Sequence, residues 1–254
     1  MKIPIIRGVV RRHLLVNYRV DAGVMRDWLP APFEPKLHRG WAVAGVCLIR
    51  VEQMPRSLAR FGRGLGSENA AHRVAVRWPE GPDVHEGVYV CSSHTDSLLG
   101  HLSRRGVLPG EQRRARFRVW DDGREIGLSM RSADRSQVVE LAGHAGAAMP
   151  ASSIFGSIRE ASVFFERGSV GYAPSQGGHG YVGVAADAPH WAVHPLAVTH
   201  VSSSFFEDGT RFPPGSAAFD HALVMRDVEY VWRGLPELAR DRRGTVSHEP
   251  ASNS

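Results

Sequence analysis

The sequence predicts an α+β fold in which a curved antiparallel sheet or barrel carries a few short flanking helices. Three observations lead there. Strand-like runs recur between turn signals along the chain, whereas only two or three short stretches have helical spacing. Strands and helices do not alternate regularly, which argues against βαβ units. Asp122-Gly123, set between two alternating runs, is a strong antiparallel hairpin signal.

Taken in order, His13 to Val20 reads as a strand. Asp21 can cap a short helix through Trp28; Pro30, Pro32 and Pro35 end it, because proline lacks the N–H that a continuing helix needs. Residues 41–51, WAVAGVCLIRV, are apolar on both faces and read as a fully buried strand. Residues 53–66 form a Gly/Arg-rich segment expected to be a mobile loop. Glu68 to Trp78 is the next strand, followed by a turn at residues 79–82 and a short strand from Gly87 to Cys91. Thr95 to Arg105 has helical spacing, with Thr95 or Asp96 as cap and Gly106 as stop.

Strands at 112–120 and 124–131 flank the hairpin turn, and a third at about 136–143 continues the meander. Ser157 and Glu160 form a capping box for a helix closed by Gly168, with Ile158, Ala161, Phe164 and Phe165 as its apolar stripe. Further strands are expected near 179–185, 190–206 and 216–232. Residues 1–236 then make a single domain, and the polar, aperiodic residues 237–254 a disordered tail. No internal repeat is present.

At 254 residues and 43% hydrophobic content the chain can bury a full core. No apolar run approaches the roughly 18 residues of a membrane span, and MKIPIIRGVVRR is interrupted too soon for a signal peptide. A cytoplasmic location is expected. Cys47 and Cys91 sit in apolar contexts that suit buried thiols, and their spacing is not that of a zinc site. The net charge of +5 is carried almost wholly by arginine, which invites a nucleic-acid reading. Acidic residues are interspersed, however, and no nucleic-acid-binding motif appears. Arg114, Arg116 and Arg118 alternate with Ala115, Phe117 and Val119, as on the wet face of a half-buried strand.

The candidate chemistry centres on residues 67–76, SENAAHRVAV. Alternation places Glu68, Ala70, His72, Val74 and Val76 on one face and Asn69, Ala71, Arg73, Ala75 and Arg77 on the other. The second face carries the arginines and is expected to be wet, so Glu68 and His72 point inward. A desolvated carboxylate has a raised pKa, which suits a general acid or base; a buried Glu68 paired with an arginine is the structural alternative. His94 and His101, and His190, His194 and His200, lack metal-ligand spacing, and no phosphate-cradle or nucleophile-elbow motif is present. Neither metal nor cofactor is expected.

Several of these stretches resemble the acetoacetate decarboxylase-like superfamily, and within it the DUF2071 (YqjF-like) group. Gly64-Leu65-Gly66-Ser67-Glu68 is similar to the decarboxylases' Gly-x-Tyr-x-Glu stretch, with Gly66 in place of the tyrosine. Tyr18-Arg19-Val20-Asp21 is similar to their Tyr-Arg-x-Asp strand end, and counting back to the family's substrate-binding arginine reaches Arg11. Ser67 to His72, Phe164 to Ser169, Ser202 to Phe206 and Arg211 to Ser216 resemble the DUF2071 group, so the likeness covers roughly residues 9–233. The catalytic lysine is missing: Ser97 and Leu98 stand where the decarboxylases carry Lys-Lys, and the chain's lysines are Lys2 and Lys36. Lys36, following Glu34-Pro35, reads as a surface residue. A Schiff-base decarboxylation is therefore not expected.

The resemblance implies a small-molecule pocket lined by Arg11, Glu68, His72, His94, Ser97 and His101. The first expectation is a lysine-independent enzyme acting on a small carboxylate- or carbonyl-bearing metabolite, with Glu68 moving a proton, His72 assisting and Arg11 orienting the substrate. The alternative is a non-catalytic binding protein using the same pocket, and an arginine-rich nucleic-acid binder ranks third. Decarboxylases of this superfamily form large oligomers, so homo-oligomerisation comes as an expectation with the resemblance.

Overall fold

A strand with apolar side chains on both faces needs a core on each side. The computed structural model, which describes residues 5–53, 65–97, 108–146 and 148–240, supplies two. In chain order the elements are β1 (Ile5–Asp21), α1 (Ala22–Trp28), β2 (Glu34–Pro35), β3 (Leu37–His38), β4 (Trp41–Gln53), β5 (Leu65–Glu80), β6 (Asp83–Thr95), β7 (Gln112–Asp121), β8 (Glu125–Ser132) and β9 (Val138–Ala145). They continue with α2 (Ile158–Glu166), β10 (Val170–Pro174), β11 (Gly180–Asp187), β12 (His194–Ser203) and β13 (Ala217–Ala239).

The strands make one 13-stranded sheet that closes on itself twice. A wall in the order β13-β1-β4-β5-β6 is common to both closures. On one side β7, β8, β9 and β12 lead from β6 back to β13, giving a large ring; on the other, β10 and β11 do so, giving a small ring. Among the described pairings only β6–β7 and β6–β10 are parallel. β4 shows why the wall holds two cores. Ala42, Ala44, Val46 and Leu48 enter the large-ring core, while Val43, Cys47, Ile49 and Val51 enter the small-ring core.

Two bulges adjust β1 against its neighbours. Register passes from Val10↔Val51 to Arg12↔Arg50, leaving Arg11 as the extra residue. It passes from Asn17↔His221 to Tyr18↔Phe219, leaving Asp220 extra on β13. An extra residue reverses which side chains face which core, so Val10 joins the small-ring core although Leu14 and Val16 belong to the large-ring one.

Both helices are capped as the sequence suggests. Asp21 Oδ1 accepts from the Gly23 and Val24 N–H groups at 2.8 and 3.0 Å, and Ser157 Oγ accepts from Glu160 N–H at 3.1 Å. The reciprocal half of the box is displaced by one residue, because Glu160 Oε2 takes the N–H of Gly156. Other elements differ from expectation. β1 starts at Ile5, β6 runs from Asp83 to Thr95, and β10 was not foreseen. β13 continues through Ala239, because its last residues pair with β11 in the small ring, so residues 237–239, expected in the tail, belong to a strand; residues 241–254 lie outside the described residues. Residues 54–64 and 98–107, which hold most of the expected loop and helix, lie outside the described residues. No helix among the described residues is long and apolar enough to cross a membrane.

The wall tolerates little added volume. A Cβ at Gly45 would stand 2.3 Å from the Val16 carbonyl oxygen on β1. Gly45→Ala is expected to cost about 1–3 kcal/mol, the usual cost of overpacking, seen as a lower urea midpoint at unchanged slope.

Candidate functional site

Small residues line the small-ring face of the wall and its closing strands. Ala71 and Ala75 of β5, Gly87 of β6, Gly171 of β10 and Ala186 of β11 leave a cavity of about 360 Å³. That volume falls within the range of small-molecule sites. Its lining includes the polar residues Arg73, His13, Cys47, Tyr230, Lys36 and Ser169 and two acidic ones, Glu166 and Asp187, the latter paired with Arg233.

Arg73 is the unusual one. It lies on the face of β5 expected to be wet, yet it is only 5% exposed, because α2, β10 and β11 cover that face. Nε donates to Cys47 Sγ at 3.0 Å, Nη2 donates to Asn17 Oδ1 at 2.8 Å, and Nη1 has no partner. The guanidinium also lies 5.1 Å from the centre of the Phe165 ring. Among the described residues no carboxylate pairs with it.

A directional hydrogen-bond chain holds this guanidinium in place. His221 Nδ1 donates to Asp220 Oδ2 at 2.6 Å, so Nε2 is left to accept from Asn17 Nδ2 at 3.1 Å. Asn17 Nδ2 also donates to the Leu15 carbonyl, which fixes the amide so that Oδ1 faces Arg73. Burial opposes the Asp220 charge, but hydrogen bonds from His221, Ser153 and the Ile154 N–H outweigh it and bring the carboxyl down to about 2. Burial lowers His221, against the pull of Asp220.

His13 Nδ1 lies 3.3 Å from the Tyr230 hydroxyl, and Nε2 has no partner. Burial, helped by the Arg73 charge, lowers its pKa to about 3, so the ring is neutral at neutrality. Lys36, expected at the surface, instead lines the cavity with its side chain 14% exposed. Its Nζ pairs with Glu86 at 2.7 Å and lies 4.4 Å from the centre of the Phe164 ring.

The residues singled out in the sequence lie elsewhere. Glu68 and His72 do share a face with Ala70, Val74 and Val76, but that face looks into the large ring. Glu68 is bound by Arg12 at 2.7 Å, with Arg50 at 3.9 Å. Burial raises its carboxyl above the usual range, with Arg12 working against the rise. His72 is buried against Phe205, near Ser92 and Ser203, and burial lowers it to about 3. His94 is buried on the same side and lowered to about 4, chiefly by burial and then by Arg113. Ser97 is half-buried, with its N–H on Thr95 Oγ1, and His101 lies outside the described residues. Arg11 is displaced by its bulge to the surface, 49% exposed and paired with Glu52 and Asp227. None of the five described residues Arg11, Glu68, His72, His94 and Ser97 lines the cavity. Among the described residues no cluster of three or more potential metal ligands occurs. Arg73, His13 and Lys36, which do line the cavity, were not singled out in the sequence; an arginine alternating with Ala71 and Ala75 was the available signal for the first.

These placements separate in stability measurements. Glu68→Gln leaves buried Arg12 with only the longer contact to Asp121, at 3.6 Å, and is expected to cost up to about 3–5 kcal/mol, whereas Arg11→Ala, at an exposed pair, should cost no more than about 1 kcal/mol. His13, His72 and His94 also predict acid sensitivity. Each binds fewer protons folded than unfolded, so its stabilisation is complete above the ordinary value of 6.5 and drains away as pH falls toward about 3 or 4. Unfolding free energy should therefore decline below about pH 6.5, by up to about 1.4 kcal/mol per pH unit for each histidine. A pH-independent urea midpoint between 6.5 and 4.5 would contradict it.

Solved structures share this architecture. An acetoacetate decarboxylase-like enzyme from Sphingomonas wittichii RW1 matches with a TM-score of 0.54 at 14% identity, over 93% of this chain and 92% of that one. The enduracididine biosynthesis enzyme MppR complexed with pyruvate matches at 0.55 and 14% identity, over 95% and 92%. Acetoacetate decarboxylase from Legionella pneumophila subsp. pneumophila str. Philadelphia 1 matches at 0.54 and 8% identity, over 93% and 90%. No family model and no curated protein matches the sequence. The chain has the acetoacetate decarboxylase-like fold.

Proposed function

We propose that the small-ring cavity binds a small metabolite bearing a carboxylate and a carbonyl, and that Arg73 holds the carboxylate. The observation carrying this reading is the buried guanidinium that has no carboxylate partner among the described residues and has a free Nη1. A buried charge without a countercharge is costly, and an anionic ligand offsets that cost by a charge-assisted fork. MppR, which shares the fold, is a pyruvate complex, and pyruvate is a keto acid of the class that fits these groups; this support is analogy at the level of fold.

The acid–base work that the sequence suggested for Glu68 falls in this reading to His13. When Tyr230 donates to Nδ1, Nε2 carries the proton, and a neutral imidazole N–H can polarise a carbonyl oxygen. Imine chemistry needs a free amine, and Lys36 is taken up by its pair with Glu86. A second reading, binding without turnover, has one observation in its favour: His13, lowered to about 3, is a weak base at neutrality. On the motifs at residues 67–72, 164–169 and 202–216 we assign the chain to the DUF2071 group, and we expect it in the cytoplasm.

Calorimetric titration of pyruvate and other small carboxylates tests the anchor. Arg73→Gln should weaken binding by about 30-fold or more, the effect of losing one partner of a buried charge pair, about 2–5 kcal/mol, while Arg11→Ala should bind as the wild type does. Equal affinity in Arg73→Gln, or no carboxylate bound by the wild type, overturns the reading.

A further inference from the structure

The cavity extends well past Arg73. On β4 its lining runs from Cys47, level with Ala71, to Val51, a reach of about 13 Å at a strand rise of about 3.3 Å per residue. At the far end Val51 pairs with Val10, and Ile49 and Trp232 complete an apolar lining. Two aromatic residues of the cavity keep their polar atoms engaged. Tyr230 stacks on Trp232, ring centres 5.4 Å apart, with its hydroxyl 3.3 Å from His13 Nδ1. Trp191 has its one donor on Ser162 Oγ at 3.0 Å, outside the lining. Of the acidic lining residues, Glu166 is exposed, and Asp187 is partly exposed and paired with Arg233.

Size and lining both point past a three-carbon acid. A cavity of roughly 150 Å³ takes a benzene ring. On that scale about 360 Å³ has room for about a dozen non-hydrogen atoms, roughly twice the number in pyruvate. A cavity water needs about two to four polar partners, and the end formed by Val10, Ile49, Val51 and Trp232 supplies few. Water there is poorly held, so an apolar group gains by displacing it.

We propose that the ligand of this cavity carries a large apolar side chain, seated against Val10, Ile49, Val51 and Trp232. Within the keto acid class this means a 2-oxo acid with about a dozen non-hydrogen atoms, not pyruvate. The carboxylate end rests on the reading of Arg73 given above; the apolar end rests on the lining alone.

Calorimetry on the wild-type chain compares pyruvate, 2-oxohexanoate and 2-oxooctanoate. Beside them stand 2-hexanone and 2-octanone, which have a tail and a carbonyl but no carboxylate. Each buried methylene should raise affinity by about fourfold. On that increment 2-oxooctanoate should bind about a hundredfold or more tighter than pyruvate, and 2-octanone about tenfold tighter than 2-hexanone. Ala186 lines the cavity and pairs in register with Trp232, so Ala186→Leu, with folding checked by its urea midpoint, should flatten both series. Equal affinity for the three acids overturns the proposal, even where Arg73→Gln weakens pyruvate and so upholds the anchor. Failure of both 2-oxooctanoate and 2-octanone to bind overturns it as well, as does an increment unchanged in folded Ala186→Leu, because the tail then lies elsewhere. An increment in both series, with acids that bind Arg73→Gln as tightly as wild type, upholds the apolar seat and overturns the anchor instead.

Discussion

Five strands that serve two cores at once set the terms for everything else in this molecule. In the middle of β13-β1-β4-β5-β6 side chains pointing either way enter a closed ring, while residues such as Arg11, Arg77 and Glu86 reach water. Polar residues at the two-sided positions are cut off from water and need partners inside the protein. Arg12, Asn17, Glu68, Arg73 and His221 are all buried there, and each is tied into a network. The wall also explains why the closing strands are less regular: they need bury only one face.

The two rings meet this requirement differently. The large ring is filled by aromatic side chains, with Tyr18 stacked on Phe206 at 4.0 Å and Phe205 between His72 and Phe212. Its buried carboxylate is matched, Glu68 by Arg12, and Arg12 also lies 3.6 Å from half-buried Asp121. The small ring has aromatic side chains too, among them Phe165, Tyr230 and Trp232, but alanine and glycine on its strands leave an open volume, and among the described residues no carboxylate pairs with its guanidinium. Matched charge in a full core is what a structural ion pair looks like. Unmatched charge beside empty volume is what a binding site looks like.

Much of the fold was legible because it rests on local patterns. The two-faced apolar run at residues 41–51, the Asp21 and Ser157 caps and the Asp122-Gly123 turn each correspond to an observed element. The site was less legible, and the reason is specific. Alternation correctly divided residues 68–77 into two faces, but a single strand does not say what covers each face. The cover over Arg73 comes from α2, β10 and β11, about a hundred residues downstream, and β10 itself, VGYAP, is short and carries both glycine and proline. Arg11 was misplaced by a bulge that no residue type announces, and Lys36 by a proline-rich context that usually marks an exposed turn.

The chain from Asp220 to Arg73 has a consequence for how the cavity would bind. Asp220 is ionised, but two neutral groups, His221 and Asn17, stand between it and the guanidinium, so its charge orients Arg73 without neutralising it. A carboxylate in direct contact with Arg73 would have satisfied the cation and closed the site to anions. The relay keeps the positive potential in the cavity, where it also acts on His13 and His221. It also removes the rotameric freedom that an arginine otherwise loses on binding, a cost of roughly 0.5–1.5 kcal/mol for an immobilised side chain. The guanidinium is thus held in one orientation by the fold itself, which bears the cost of holding it.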